Sequence, residues 1–147
     1  MGKFTLSVFI NRSQQDVFDF LSDPANLSKW NSSFESAEWA SSGAPGAGST
    51  YRVVGKILGS RKEGLFEIVE WERPHRYSYR GRQRVFPIER MQTVITLDPK
   101  DGGTHVTFDS HFELIGVLRF TEGLLGKLGE KQDGDNLVAA KRLLEAG

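Results

Sequence analysis

The sequence predicts an α+β fold: a curved, seven-stranded antiparallel sheet, two short helices after strand 1, and a long C-terminal helix over the concave face. Three observations predict it. Apolar residues alternate at the start of the chain, and helix-start signals follow at Ser13 and at Asp23-Pro24. The middle of the chain then reads as one strand after another. From Gly116 the period changes to helical.

Each element has its own reason. Phe4, Leu6, Val8 and Ile10 share one face of a strand over 3–11, with Thr5 and Ser7 opposite and Phe9 as the exception. Ser13 is a natural N-cap, and Asp16 stands where a capping-box acid would. Val17, Phe18 and Leu21 form the apolar face of the first short helix. Asp23 caps the second, Pro24 opens it, and it runs to about Trp30. From Phe34 the pattern is β, with strands over 34–40, 50–56, 62–72, 76–85, 88–97 and 104–114. Residues 41–49 form a Gly/Ala/Ser/Pro loop, and 72–75 and 99–103 are turns.

Over 116–145 two apolar stripes alternate with polar residues. Val117, Leu118, Leu124, Leu125 and Leu128 make the first; Leu137, Ala140, Leu143 and Leu144 make the second. The stripes overlap only partly, and Gly129 and Gly134 lie between them, which predicts a kink. Unbroken, this helix spans about 45 Å, so a small sheet must curl to cover it. No repeat, linker or low-complexity tract interrupts the chain, and residues 1–147 are expected to form one domain.

Composition removes several chemistries. The 147 residues include no cysteine, which excludes thiol catalysis, disulfides and cysteine-ligated metals. Lys+Arg and Asp+Glu both number 19, so no net charge steers the protein to nucleic acid or an anionic surface. His105 and His111 lie about 20 Å apart along one strand and cannot share a metal; His75 lies in a turn. The glycines of 43–50 resemble a phosphate loop, but Ser49 stands at the lysine position and a strand follows instead of a helix. The first residues lack an apolar signal-peptide core, and no run suits a membrane span. These features predict a cytoplasmic monomer or weak homodimer, with no cofactor, no metal and no nucleic-acid partner.

The order of elements, together with Val17-Phe18-Asp19-Phe20-Leu21, Asp23-Pro24 and Trp30, resembles the SRPBCC or START-like superfamily, the helix-grip fold. Glu67-Ile68, Pro74 and Gly103-Thr104 are similar to its middle and late strands. The likeness is greatest to bacterial polyketide cyclase/dehydrase-type members. It implies a cavity between the sheet and the C-terminal helix. Superfamily members include lipid carriers, hormone receptors, aromatase/cyclases and chaperone activators, so the cavity's residues must decide the function.

Alternation places Tyr51, Val53, Phe66, Ile68, Tyr79, Gln83, Met91, Thr93, Phe108 and Phe112 on the concave side. Trp30 ends the second helix beside it. Leu125 and Leu128 face it from the long helix, where Gln132 and Asn136 either add a polar patch or meet solvent. Such a lining suits a small hydrophobic molecule, lipid- or polyketide-like. The strand 62–72 is apolar on both sides, which leaves the facing of Glu67 open. An inward Glu67 would act with Tyr79, and with Tyr51 and Gln83 nearby, as a proton-transfer site for cyclisation or dehydration. An outward Glu67 has no such role. Tyr51 and Tyr79 suit either a core or a cavity wall. Arg80, Arg82 and Arg84 form a basic stripe, expected to be balanced by Glu70 and Glu72 or to meet an acidic protein partner.

Overall fold

A computed structural model describes residues 2–57 and 59–147. β1 (Gly2–Ile10) leads into α1 (Gln14–Ser22) and α2 (Pro24–Trp30). Both caps form as the sequence predicts. The Ser13 hydroxyl accepts the Asp16 N–H at 3.2 Å, and the Asp23 carboxylate accepts the Ala25 N–H at 2.9 Å. Six strands follow: β2 (Phe34–Trp39), β3 (Thr50–Ile57), β4 (Ser60–Glu72), β5 (Arg76–Gly81), β6 (Ile88–Lys100) and β7 (Gly103–Leu114). They join β1 in one seven-stranded sheet of order β1-β7-β6-β5-β4-β3-β2, antiparallel at every step. A 3₁₀ turn over Gly116–Thr121 leads into α3 (Glu122–Ala146). This is the helix-grip arrangement.

Three details differ from the sequence reading. β5 stops at Gly81, and the connection to β6 closes in a tight turn where Val85 and Ile88 pair across Phe86-Pro87. β4 carries a bulge between Ile68 and Glu70. One extra residue moves the following side chains to the other face, so Ile68 and Trp71 both point inward while Val69 is exposed. That bulge is why the strand looks apolar on both sides. Finally, α3 runs unbroken through Gly129 and Gly134, and the irregular turn comes earlier, in the 3₁₀ segment. Gly129 serves close packing: a Cβ there would lie 3.2 Å from the Phe4 ring.

The core lies under α1, α2 and the C-terminal half of α3. Val17, Phe18, Leu137 and Ala140 are buried against Ile10, Ile95 and Val106. Phe18 meets Trp71 and Tyr77 edge-on, with ring centroids 5.0 and 5.2 Å apart.

Polar groups fasten α3 at three places. At its start, the Glu122 carboxylate accepts the Leu114 N–H at 2.8 Å. At its end, Lys141 donates to the Phe9 carbonyl at 2.7 Å, and Glu145 accepts the Asn11 N–H at 2.8 Å. In the middle, Asn136 clasps the α2–β2 connection. Its oxygen accepts the Ser32 N–H at 3.1 Å, and its amide donates to Asn31 at 3.1 Å and to Asp133 at 3.3 Å. With Asn136 only 3 % exposed, its truncation to alanine should strand buried partners and cost about 2 kcal/mol in urea unfolding.

A candidate ligand cavity beneath the N-terminal half of the long helix

The N-terminal half of α3 meets the sheet at the Phe4 ring but stands off its middle strands. Between them lies a cavity of about 490 Å³, within the size range of small-molecule sites. Strand register builds its floor in rows. The innermost row, Tyr77, Ile95 and Phe108, is buried core on three neighbouring strands. The next, Tyr79, Thr93 and Ser110, is a rung of three hydroxyl groups on the same strands. Beyond it Gly81, Met91 and Phe112 return the floor to apolar character. A side chain at Gly81 would come within 3.4 Å of Met91, so glycine keeps this end open.

The hydroxyl rung is internally bonded. Thr93 and Ser110 are both buried and lie 3.3 Å apart, oxygen to oxygen. Burial raises the Tyr79 phenol above its ordinary value. The negative charge of Asp133 adds to the rise, and a hydrogen bond with Thr93 opposes it. Tyr79 therefore remains a protonated donor at neutral pH.

The roof comes from α3, through Leu125, Leu128, Gly129, Gln132 and Asp133. Asp133 is the acid that sequence reasoning passed over. Burial pushes its carboxyl up to about 6, against the lowering effect of the Asn136 amide. Helical spacing does carry the signal, since 125, 129 and 133 follow one another at four-residue intervals. The exposed charges Lys56, Glu63 and Arg90 mark the opening. Outside it, Val117, Phe120 and Leu124 form an apolar stripe on the solvent side, with Phe120 85 % exposed.

The expected site residues divide into two groups. Val53, Phe66, Tyr79, Gln83, Met91, Thr93, Phe108, Phe112, Leu125, Leu128 and Gln132 line the cavity. Trp30, Tyr51 and Ile68 do not. They surround a separate void of about 20 Å³, behind a wall made by Phe34, Phe66 and Tyr79. Tyr51 packs edge-on against Trp39 and Phe66, so it belongs to the aromatic core. Asn136 also lies outside the lining, its amide spent on the clasp. Gln132 reaches the cavity while donating to the Ser33 hydroxyl at 2.7 Å.

Glu67 faces away from the cavity. It alternates with inward Phe66 and Ile68, and on the outer face it binds Arg80 at 2.8 Å and Arg82 at 3.0 Å. The Arg80 hydrogen bond holds its carboxyl below the ordinary range. The geometry thus removes the inward-acid role considered for it. The basic stripe is balanced, as expected, by a glutamate of the neighbouring strand, though the residue is Glu67 and not Glu70 or Glu72, and Arg84 pairs with Glu89 at 2.8 Å. Glu70 instead pairs with Arg76 at 3.2 Å. Among the described residues, no group of three or more His, Asp or Glu could hold a metal.

Asp133 should leave a mark on stability. Its folded-state value, about 6, exceeds that of an unfolded aspartate. The protonated form is therefore favoured by folding. The associated stability is present below about pH 4 and is lost as pH rises through about 6. Asp133→Asn should raise stability at pH 7 by roughly 2–3 kcal/mol and gain little at pH 4, as read by urea unfolding at the two pH values. An equal gain at both would show that the carboxyl is not desolvated.

No curated protein matches the sequence. Structural similarity, in contrast, is extensive. TTHA0849 from Thermus thermophilus superposes with a TM-score of 0.79 at 21% identity, covering 98% of this chain and 97% of that one. Ara h 8.0201 gives 0.74 at 16%, covering 99% and 98%. The di-domain ARO/CYC StfQ from the steffimycin biosynthetic pathway gives 0.82 at 12%, covering 98% of this chain and 51% of that one. At these identities the likeness establishes the fold. The sequence itself matches, over residues 1–145, the profile of a family described as polyketide cyclase / dehydrase and lipid transport, and the chain belongs to that family.

Proposed function

We propose that the protein binds a small, largely apolar molecule, lipid- or polyketide-like, in the cavity between the sheet and α3. The carrying observation is the cavity itself. Its walls are mostly aliphatic and aromatic, while Tyr79, Thr93 and Ser110 gather on the floor and Gln132 and Asp133 on the roof. Apolar walls supply affinity through buried area, at about 25 cal/mol per Å². The few polar groups orient what is bound.

A second reading, a cofactor-independent cyclase or dehydratase, rests on Asp133 alone. A carboxyl tuned to about 6 can exchange protons near neutral pH. In such a reaction the Asp133 carboxylate takes a proton from a carbon beside a ketone, and the Tyr79 hydroxyl donates to the enolate oxygen that forms. In a dehydration, the captured proton leaves with the β-hydroxyl as water. A third reading, a protein-interaction module, loses its main feature because the arginine stripe is already paired within the chain.

Pyrene, an uncharged aromatic probe, should bind saturably and with unit stoichiometry by fluorescence. Leu125→Trp, which fills the roof, should weaken binding at least about tenfold, a difference of about 1.4 kcal/mol. Leu124→Trp, on the solvent side, should leave it unchanged. Equal effects of the two variants would move the site out of the cavity, and no saturable binding would sink the reading. For the enzymatic reading, deuterium exchange at the α-carbon of α-tetralone is the direct assay. Wild-type protein should accelerate it over buffer and Asp133→Asn should not; identical rates would remove that reading.

A further inference from the structure

Resting on the cavity-binding reading above, the charge inside the cavity specifies what its ligand must carry. Lys56, Lys62, Glu63, Glu89 and Arg90 are the other ionic residues of the lining, all on β3, β4 and β6. Glu89 is bound by Arg84 at 2.8 Å, Arg90 lies 3.8 Å from Glu113, and Lys62 lies over the Phe86 ring at 5.9 Å. Lys56 and Glu63 are exposed. None of these is among the groups that act on the Asp133 carboxyl.

The cavity that Asp133 lines also takes neutral polar and apolar groups from the elements around it. From the sheet come the hydroxyls of Tyr79, Thr93 and Ser110. From the α2–β2 connection come Asn31 and Ser33, and from β1 comes the Phe4 ring. On α3 itself, Asn136 donates to one carboxylate oxygen at 3.3 Å, and the nearby cation Lys131 is engaged by Asp135 at 3.2 Å. Among the described residues, no arginine or lysine pairs with Asp133, and its second oxygen has no protein donor.

We infer that the cavity selects apolar molecules bearing a hydrogen-bond donor at the buried end, such as a phenol, an alcohol or a protonated amine, and rejects those ending in a carboxylate. The reason is charge and hydrogen-bond arithmetic. An ionised carboxylate accepts but cannot donate. A donor on the ligand gives its second oxygen the partner the protein does not supply, and a charge-assisted hydrogen bond is roughly twice as strong as a neutral one. A second carboxylate beside Asp133 would face like charge, and no cation of the lining is among the groups that act on that carboxyl. The three hydroxyls opposite can both donate and accept, so they impose no such sign. Asp133 alone does.

The acid's burial gives this selection a pH range. Above about pH 6 the carboxylate dominates and the preference for donors is complete. Below it the protonated acid becomes a donor itself, and the bias against carboxylate ligands relaxes. The preference should therefore grow, not shrink, as pH rises from about 5 to about 7.5.

Four probes of one shape test this by fluorescence titration: pyrene, 1-hydroxypyrene, 1-pyrenylmethylamine and pyrene-1-carboxylate. At about pH 7.5 the hydroxyl and amine forms should bind at least about tenfold more tightly than the carboxylate, which should bind more weakly than pyrene itself. At about pH 5 the gap should narrow severalfold in the wild-type protein, a measurement that needs no variant. In Asp133→Asn the amine should lose its advantage, and the pH dependence should vanish. Equal affinity for amine and carboxylate at the higher pH would overturn the inference while leaving cavity binding intact. So would a gap unchanged in Asp133→Asn. Failure of all four pyrenes to bind would remove the cavity reading, and this inference with it.

Discussion

Leu137 and Ala140 press the C-terminal half of α3 into the sheet, and the Asn136 clasp stops that packing short of the other half. Ahead of the clasp the helix is tied by Gln132 to the Ser33 hydroxyl and, at its start, by the Glu122 carboxylate on the Leu114 backbone. Between those two points α3 roofs the cavity. A curled seven-stranded sheet is wider than one helix can cover, so the interior cannot close everywhere. The cavity is the consequence of packing one helix at one end. Gly81 keeps space beside Met91, and Gly129 admits the Phe4 ring beneath the helix.

Within that space polarity is confined to a band. Register sets Tyr79, Thr93 and Ser110 side by side across three strands, between an apolar core row and an apolar outer row. Asp133 stands on the opposite wall. A partly buried carboxylate without a cation costs stability, because desolvation penalises its charged form. The same helix could carry a neutral residue at that position and lose nothing in packing. Destabilising charge placed in a cavity is the usual character of a functional group rather than a structural one. The exposed stripe from Val117 to Leu124 adds a second departure from an ordinary surface, since large apolar residues there meet water.

The architecture was legible because its signals are local. Ser13 and Asp23-Pro24 announce their helices, and alternation from Phe4 to Ile10 announces a strand whatever surrounds it. The floor of the cavity was legible for the same reason, as strand period assigns Met91, Thr93, Phe108 and Phe112 to the lining. What failed depended on neighbours. The bulge at Ile68–Glu70 reverses the facing of the rest of β4, and no residue type there announces it. Trp30 and Tyr51 share the concave side yet lie behind an aromatic wall, a separation only packing creates. On α3 the solvent-side Leu124, and Leu128, which lines the cavity yet is 54 % exposed, are as apolar as the inward Leu125. They drew the inferred stripe off phase, toward Asn136 and past Asp133.

The central claim is that the space under the N-terminal half of α3 is where this protein binds its ligand. Methyl-resolved NMR during a pyrene titration tests it most directly. Saturable shifts are expected at Val53, Met91, Thr93 and Leu125, with Val17 and Val106 in the filled core unmoved. Shifts confined to Val117 and Leu124, on the solvent side of the same helical segment, would contradict it.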